Sequence, residues 1–194
     1  MLLSGEPGPD ERLARFARTR GHADPATEQA VASFSRLGEH GAVWLAIGLA
    51  GQALDRPRRA RWRRATRAVA TTYALNTLLK VVVRRRRPEL DGLAPLTSTP
   101  TALSFPSAHA STAFAGALAY SRLGVPAVPL YALAGALSVS RLYLGVHYPS
   151  DVAAGAVLGT IVAARMTSPG REIPDHAVGE FVAGVAPAAG AFGS

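Results

Sequence analysis

The chain has 194 residues, a length that suits one domain with flanking segments. It contains no cysteine, which excludes disulfide bonds and thiolate chemistry. The formal net charge of +8 admits nucleic acid, an anionic membrane surface or a phosphorylated substrate as partner. Because the arginines cluster at the ends of apolar runs rather than alternating with exposed aromatic residues, no nucleic-acid partner is predicted.

Residues 1–39 predict an amphipathic helical segment. Arginine alternates with apolar side chains in residues 10–20, and a second apolar repeat with helical spacing follows in residues 31–37. Short helices of this kind lie on a membrane surface with the apolar face buried among the lipids. A frayed polar terminus is the alternative interpretation.

Five neutral runs separate the charged residues that follow. They cover residues 41–54, 68–79, 92–121, 123–140 and 152–164. A spanning helix needs about 20 mostly apolar residues, and snorkelling arginines lengthen the shorter runs. Frequent glycine and alanine are typical of helices that pack closely in lipid. The sequence therefore predicts an all-α, polytopic membrane bundle of about five spanning helices over residues 40–167, and a C-terminal tail over residues 168–194. The low mean hydropathy of +0.16 favours the alternative, a soluble helical bundle.

The first motif begins at Lys80, the only lysine among 21 basic residues. Arg87 and Pro88 follow it. If one helix runs from Pro57 to this proline, a separation of seven residues is two turns, and the two cationic side chains share a face on which they can hold one anion. The arginines at positions 84–86 are interpreted as interfacial side chains that contact lipid headgroups.

The second motif reads SFPSAH and covers residues 104–109. Ser107 and the free backbone N–H groups of a helix start predict an anion site, and His109 in the first turn is placed to donate a proton. The alternative is an ordinary serine cap beside a structural histidine.

The third motif consists of Arg141, His147 and Asp151. A carboxylate four residues after a histidine can accept its Nδ1–H, fix the tautomer and leave Nε2 free to attack. A structural histidine–aspartate contact beside an interfacial arginine is the alternative for this motif alone.

Together the three motifs resemble the signature of the type 2 phosphatidic acid phosphatase superfamily. The resemblance covers about residues 80–151, with the motifs in order and their internal spacings matched. The family usually has glycine where Ala108 stands, and alanine predicts a slightly narrower phosphate pocket.

The resemblance implies a phosphate site formed by Lys80, Arg87, Ser107, Ala108 and Arg141. It also implies that His147 attacks phosphorus, that Asp151 orients it, and that His109 protonates the leaving oxygen and then activates water. No metal ion or other cofactor is implied, and the sequence offers no carboxylate cluster suited to Mg²⁺.

Residues 38–40, 103–112 and 140–152 further resemble the small bacterial phosphatases proposed to act on decaprenylphosphoryl-5-phosphoribose. The expected partners are therefore a polyprenyl-linked lipid phosphate and the membrane bilayer. Undecaprenyl diphosphate and phosphatidylglycerophosphate phosphatases use the same catalytic set and remain alternatives. A non-catalytic anion-binding membrane protein on this fold is the alternative from another class. The sequence gives no indication of the oligomeric state.

The predicted topology places the three motifs on one side of the membrane. The arginine cluster at positions 56–67, together with Arg122 and Arg165, falls on the other side. By the positive-inside rule this second side is cytoplasmic. The active site is therefore expected to face the extracytoplasmic side of the bacterial plasma membrane.

Overall fold

A computed structural model describes residues 8–20, 24–90 and 92–168, and within them the fold is all-helical. The seven α-helices of these residues are α1 (Pro9–Arg20), α2 (Pro25–Arg36), α3 (Ala42–Leu54), α4 (Arg59–Val83), α5 (Ala108–Ser121), α6 (Ala127–Tyr143) and α7 (Pro149–Met166). The all-α prediction is confirmed, and α3 to α7 supply five helices between residues 40 and 167. None of the helices in the described ranges combines the length and apolar character of a candidate membrane span. The tail predicted for residues 168–194 lies outside the described residues, apart from Ser168.

Helix α5, which consists mainly of alanine, serine and glycine, lies at the centre of the bundle. It packs against α3, α4, α6 and α7, and ten of its 14 residues are buried. Gly155 and Gly159 of α7 face the backbone of α5 so closely that a Cβ atom at Gly159 would overlap the carbonyl oxygen of Ser111. This contact brings the starts of α5 and α7 together, and the Ser107 N–H donates to the Asp151 carbonyl at 3.0 Å.

The arginine-rich end of the bundle lies opposite the three sequence motifs. Arg58 donates to the Leu123 carbonyl at 2.8 Å, and Arg122 donates to the Ala164 carbonyl at 3.2 Å. These bonds gather the start of α4, the α5–α6 turn and the end of α7. The motif residues occupy the other end, where α4 and α6 finish and α5 and α7 begin.

Helix α4 ends at Val83, before the second cation of the first motif. Arg84 adopts the left-handed conformation with φ of 56°, and its N–H donates to the Lys80 carbonyl at 2.9 Å. The chain then runs extended, and the Arg87 N–H donates to the Ala102 carbonyl at 3.2 Å. The prediction that Lys80 and Arg87 share one helical face was therefore wrong. Four consecutive arginines provide no apolar side chain to pack a further turn, and packing is what stabilises a helix in a protein.

The neutral run of residues 92–121 is helical only from Ala108 onward. Three prolines, Pro95, Pro100 and Pro106, precede the helix and cannot donate a backbone hydrogen bond. This proline-rich loop folds back over the site end of the bundle, where the Leu96 N–H donates to the Leu144 carbonyl at 3.0 Å.

The predicted N-terminal helices are present as α1 and α2. Helix α1 packs on α6 and α7, and α2 packs on α6. Asp24 caps α2 by accepting from the Ala26 N–H at 2.9 Å. Leu13 and Phe16 are each 56% exposed and point away from the bundle. The segment therefore covers the site end of the bundle while presenting apolar side chains outward.

Candidate active site

The first cation of the site is held by backbone oxygens. Lys80 Nζ donates to the carbonyls of Ser104 at 3.0 Å and Pro106 at 2.7 Å. Both acceptors precede the start of α5, so the ammonium group lies against that helix start. The predicted proximity of the first and second motifs is thus found in the structure.

Arg87 reaches the same place from the extended chain that follows α4. Its Nε donates to the Thr101 carbonyl at 2.9 Å, and its Nη1 donates to the Val146 carbonyl at 2.7 Å. Burial first, and then the neighbouring Arg141, lower the pKa of Arg87 to about 10. The guanidinium therefore stays charged at neutral pH.

Arg141 supplies the third cation from the end of α6. Its Nη1 donates to the Ser35 hydroxyl at 2.7 Å, and its Nε is buried without a partner. In the part of the chain that the structure describes, neither Arg141 nor Lys80 nor Arg87 lies at salt-bridge distance from a carboxylate. Arg141 is buried, and Lys80 and Arg87 are partly buried. Three cationic side chains whose partners are carbonyl and hydroxyl oxygens form a site suited to an anion.

The start of α5 adds neutral hydrogen-bond donors. Ser107 occupies the N-cap position, yet its hydroxyl makes no capping bond and is buried without a partner. The first N–H groups of a helix have no acceptor within it. Ala108 lines the adjoining cavity. A serine hydroxyl, free backbone N–H groups and an arginine Nε are all donors from which phosphate oxygens can accept. Ala108 and Arg141 are among the residues that line the cavity, and Ser107 is not.

His147 and Asp151 form the predicted pair. His147 lies just before α7, and Asp151 lies in its first turn. His147 Nδ1 lies 3.4 Å from Asp151 Oδ2, which also accepts the Tyr148 N–H at 2.9 Å. His147 Nε2 lies 3.3 Å from Arg87 Nη1. Because arginine can only donate, Nε2 carries the lone pair and Nδ1 carries the proton. This is the tautomer that a nucleophilic Nε2 requires.

Burial of His147 links its protonation to stability. Burial above all, and then the surrounding cations, lower its pKa from 6.5 to about 3, although the Asp151 hydrogen bond acts in the opposite direction. The unfolded chain therefore takes up a proton at a pH where the folded protein does not. The contribution of His147 to stability is complete above pH 6.5 and is lost as the pH falls towards 3.

We expect this loss to reach at most about 1.4 kcal/mol per pH unit. Thermal unfolding of the wild type and of His147→Asn, compared from about pH 8 to about pH 5, measures it as the difference between the two slopes. The wild type should lose more stability on acidification than the variant. Parallel pH profiles of the two proteins would contradict the prediction.

His109 lies in the first turn of α5 and faces the same cavity. Its Nε2 lies 3.0 Å from the Ser35 carbonyl oxygen. A carbonyl only accepts, so Nε2 carries a proton and Nδ1 is the nitrogen left for exchange with a substrate. The same residue, Ser35 of α2, thus contacts both His109 and Arg141.

The residues that sequence reasoning missed are Arg85, Asp10 and Ser35. Arg85 Nη1 donates to Asp151 Oδ1 at 3.0 Å, a contact that its interpretation as an interfacial, headgroup-contacting arginine did not include. Asp10 and Ser35 lie 75 and 106 residues from the arginines that they contact. A single sequence carries no local signal for such distant contacts.

The site opens into a cavity of about 540 Å³. Its lining includes Lys80, Arg87, Ala108, His109, Arg141 and His147. The cavity continues past Glu39, His40, Tyr73 and Arg84, so it is much larger than one phosphate group requires. No group of three or more metal-binding side chains occurs among residues 8–20, 24–90 and 92–168.

The sequence model of the PAP2 superfamily matches residues 63–170. A decaprenylphosphoryl-5-phosphoribose phosphatase of Mycobacterium tuberculosis is 44% identical over 138 residues, which are 70% of this chain and 76% of that protein. The enzyme of the same name from Mycolicibacterium smegmatis is 42% identical over 124 residues, or 63% of this chain and 68% of the relative.

Two solved structures share the fold. The crystal structure of Aquifex aeolicus LpxE has a TM-score of 0.69 and 25% identity, and the match covers 84% of this chain and 96% of that one. The first transmembrane PAP2 type phosphatidylglycerolphosphate phosphatase from Bacillus subtilis has a TM-score of 0.66 and 25% identity. Its match covers 79% of this chain and 80% of that one.

Proposed function

The chain belongs to the PAP2 superfamily and is a phosphoric ester hydrolase of the lipid phosphatase type, and we propose that it removes phosphate from decaprenylphosphoryl-5-phosphoribose. The observation that carries the assignment is that three cationic side chains, none paired with a carboxylate among the described residues, line one cavity with His147, whose Nε2 faces Arg87. The substrate is chosen because two relatives above 40% identity bear its name.

In the proposed mechanism, Lys80, Arg87 and Arg141 bind the phosphate oxygens, and Ser107 with the first N–H groups of α5 completes the cradle. These fixed donors stabilise the charge of the transition state without reorganising. No metal ion or cofactor takes part in the proposed reaction.

The proposed chemistry proceeds in two displacements. His109 enters the reaction protonated on both ring nitrogens. His147 Nε2 attacks phosphorus, the ester P–O bond breaks, and the leaving oxygen takes the Nδ1 proton of His109. A water molecule that His109 deprotonates then attacks the phosphohistidine, which releases inorganic phosphate and restores His147. Asp151 keeps the Nδ1–H of His147 oriented in both steps.

The wide part of the cavity supports a substrate that is polar beyond its reacting phosphate. His40 Nδ1 lies 2.6 Å from the Tyr73 hydroxyl, and Glu39 is close enough to Arg141 to interact with its charge. His40 also has a φ of 52°, a costly conformation that non-glycine residues tend to adopt at functional sites. Glu39 and His40 suit the hydroxyls of a sugar, and Arg84 suits its second phosphate.

We also place the protein in the bacterial plasma membrane, as a five-helix domain over residues 40–167 with α1 and α2 on its surface. The polyprenyl substrate and the likeness to a Bacillus subtilis enzyme described as transmembrane support this placement. The exposed Leu13 and Phe16 suit contact with lipid. The arginine-rich end would face the cytoplasm and the active site the outside.

Phosphate release from a panel of lipid phosphates tests the substrate assignment. The panel contains decaprenylphosphoryl-5-phosphoribose, decaprenyl phosphate, undecaprenyl diphosphate and phosphatidylglycerophosphate. We expect the first to have the highest kcat/KM, by about 10-fold or more, because only it fills the wide part of the cavity with a sugar. His40→Ala should reduce that preference while leaving decaprenyl phosphate hydrolysis nearly unchanged.

The other outcomes are distinct. A higher kcat/KM for the diphosphate or for phosphatidylglycerophosphate would contradict the proposed substrate but would leave the proposed mechanism unaffected. Binding of these lipids without phosphate release would support the alternative of a non-catalytic anion-binding membrane protein.

A further inference from the structure

Arg85 connects the catalytic carboxylate to the N-terminal segment. Its Nη1 donates to Asp151 Oδ1 at 3.0 Å, and its Nη2 donates to Asp10 Oδ2 at 2.6 Å. Its guanidinium carbon lies 3.9 Å from the centre of the Tyr148 ring, a stacked position that restricts the side chain further. Arg85 therefore bridges two carboxylates, Asp10 and Asp151.

Asp10 fixes the other side of this arrangement. Its Oδ1 accepts the backbone N–H of Ser150 at 3.1 Å, and its Oδ2 accepts the Ser150 hydroxyl. Ser150 lies in the first turn of α7, where N–H groups have no helical acceptor. Asp10 thus caps α7 from helix α1, at the turn that carries Asp151. Burial opposes the ionisation of Asp10, but the bonds from Ser150 and Arg85 outweigh it and hold the pKa of Asp10 below its usual value.

The bond from Arg85 completes the hydrogen bonding of Asp151. Oδ2 of this fully buried carboxylate accepts from the Tyr148 N–H and faces His147 Nδ1. Oδ1 accepts from Arg85. Because both oxygens accept hydrogen bonds, rotation of the carboxylate plane would break at least one of them. These bonds therefore favour one direction of the contact with His147.

We propose that Arg85 and Asp10 are positioning residues for the His147–Asp151 pair, and that helix α1 is in this way part of the active site. The proposal rests on the nucleophilic role of His147 proposed above. Asp10 lies outside residues 63–170, the part of the chain that the family model matches. The Arg85–Asp10 contact therefore joins the matched domain to a helix that the family model does not include.

If the Arg85–Asp10 contact had a purely structural role, breaking it would lower stability rather than kcat. The Arg85 and Asp10 side chains are 31% and 29% exposed, and a partly exposed ion pair adds little to stability. Asp151 is fully buried and its Oδ2 faces His147 Nδ1 at 3.4 Å. A change in the orientation of Asp151 therefore changes the orientation of His147. The main effect of breaking the contact is accordingly expected in kcat rather than in folding or in KM.

The test uses Asp10→Asn, Arg85→Gln, Arg85→Lys and the double variant, with kcat and KM measured on the best substrate of the wild type. We expect Asp10→Asn and Arg85→Gln to lower kcat between about 10- and 100-fold, with KM within about twofold, because small misplacements of a reacting group have effects of this size. Arg85→Lys keeps the charge but loses the forked geometry and should be intermediate. The losses in the double variant should be less than multiplicative, since Asp10 and Arg85 position the same residue, Asp151.

Glu11→Gln is the matched control, because it removes one negative charge from the neighbouring position, where Glu11 pairs with Arg15 at 3.5 Å. It should keep wild-type kcat. Unchanged kcat in Arg85→Gln, a rise in KM alone, or fully multiplicative losses in the double variant would each overturn the proposal. If Asp10→Asn does not fold, Arg85→Lys decides on the same criteria. Activity retained in His147→Ala would instead overturn the proposed mechanism, whatever Arg85 does.

Discussion

Replacing His147 with alanine is expected to lower kcat for phosphate release by about 10⁴-fold or more, the size of loss that follows removal of a nucleophile from a catalytic unit. The structure gives the physical reason. His147 Nε2 is the nitrogen without a proton, it faces Arg87 at 3.3 Å, and it opens on the cavity that the other cations line. Phosphate release by purified His147→Ala, compared with the wild type in the same detergent, measures the loss.

His109→Ala is the informative companion to this variant. It should lose about 10²- to 10⁴-fold on a natural substrate, because that leaving oxygen needs a proton. With an aryl phosphate, whose leaving group needs none, the variant should release a rapid burst of phenol and then turn over slowly. Because the P–N bond of phosphohistidine is hydrolysed in acid, quenching in alkaline denaturant should trap the labelled phosphohistidine. Wild-type activity in His147→Ala, or a label on another residue, contradicts the assignment of the nucleophile.

Sequence reasoning predicted which residues come together better than it predicted the local conformations that bring them together. Spacing alone placed His147 four residues before Asp151, and the structure brings the two together at the start of α7. Spacing also put Lys80 and Arg87 on one helix, which is wrong because α4 ends between them. Both side chains still line one cavity, since the extended segment after α4 pairs with the loop before α5. The two cations therefore meet as predicted, although the single helix predicted to carry both is absent.

The contacts made by the N-terminal helices could not be predicted from the sequence. The amphipathic pattern predicted helices there, and α1 and α2 are present. It did not predict that Ser35 would bind Arg141 and His109, or that Asp10 would bind Arg85, because polar residues on an exposed helix face look alike in one sequence. These pairings arise from the packing of α1 and α2 over the site end of the bundle, which only the tertiary structure defines.

Among the substitutions considered, we expect the largest effect on stability from one that disturbs the close contact between α5 and α7. In Gly159→Ala the new methyl group would overlap the Ser111 carbonyl and lie 2.9 Å from the Ala115 backbone nitrogen. Backbone atoms in the centre of a bundle cannot move aside, so the helices must separate. We expect a loss of about 3 kcal/mol in the free energy of unfolding, at the upper end of the range for overpacked cores. Denaturation of the purified protein in one detergent measures it.

Gly135→Ala is the matched control, since it makes the same chemical change within helix α6, where a Cβ atom would meet nothing within 4 Å. Without a clash, only the helix preference of alanine remains, and this variant should gain about 0.5–1 kcal/mol. The two substitutions therefore have opposite signs, and a similar change in both would contradict the close packing of α5 on α7. Because that packing also aligns His109 with Asp151, any folded Gly159→Ala protein should lose kcat as well, whereas Gly135→Ala should keep it.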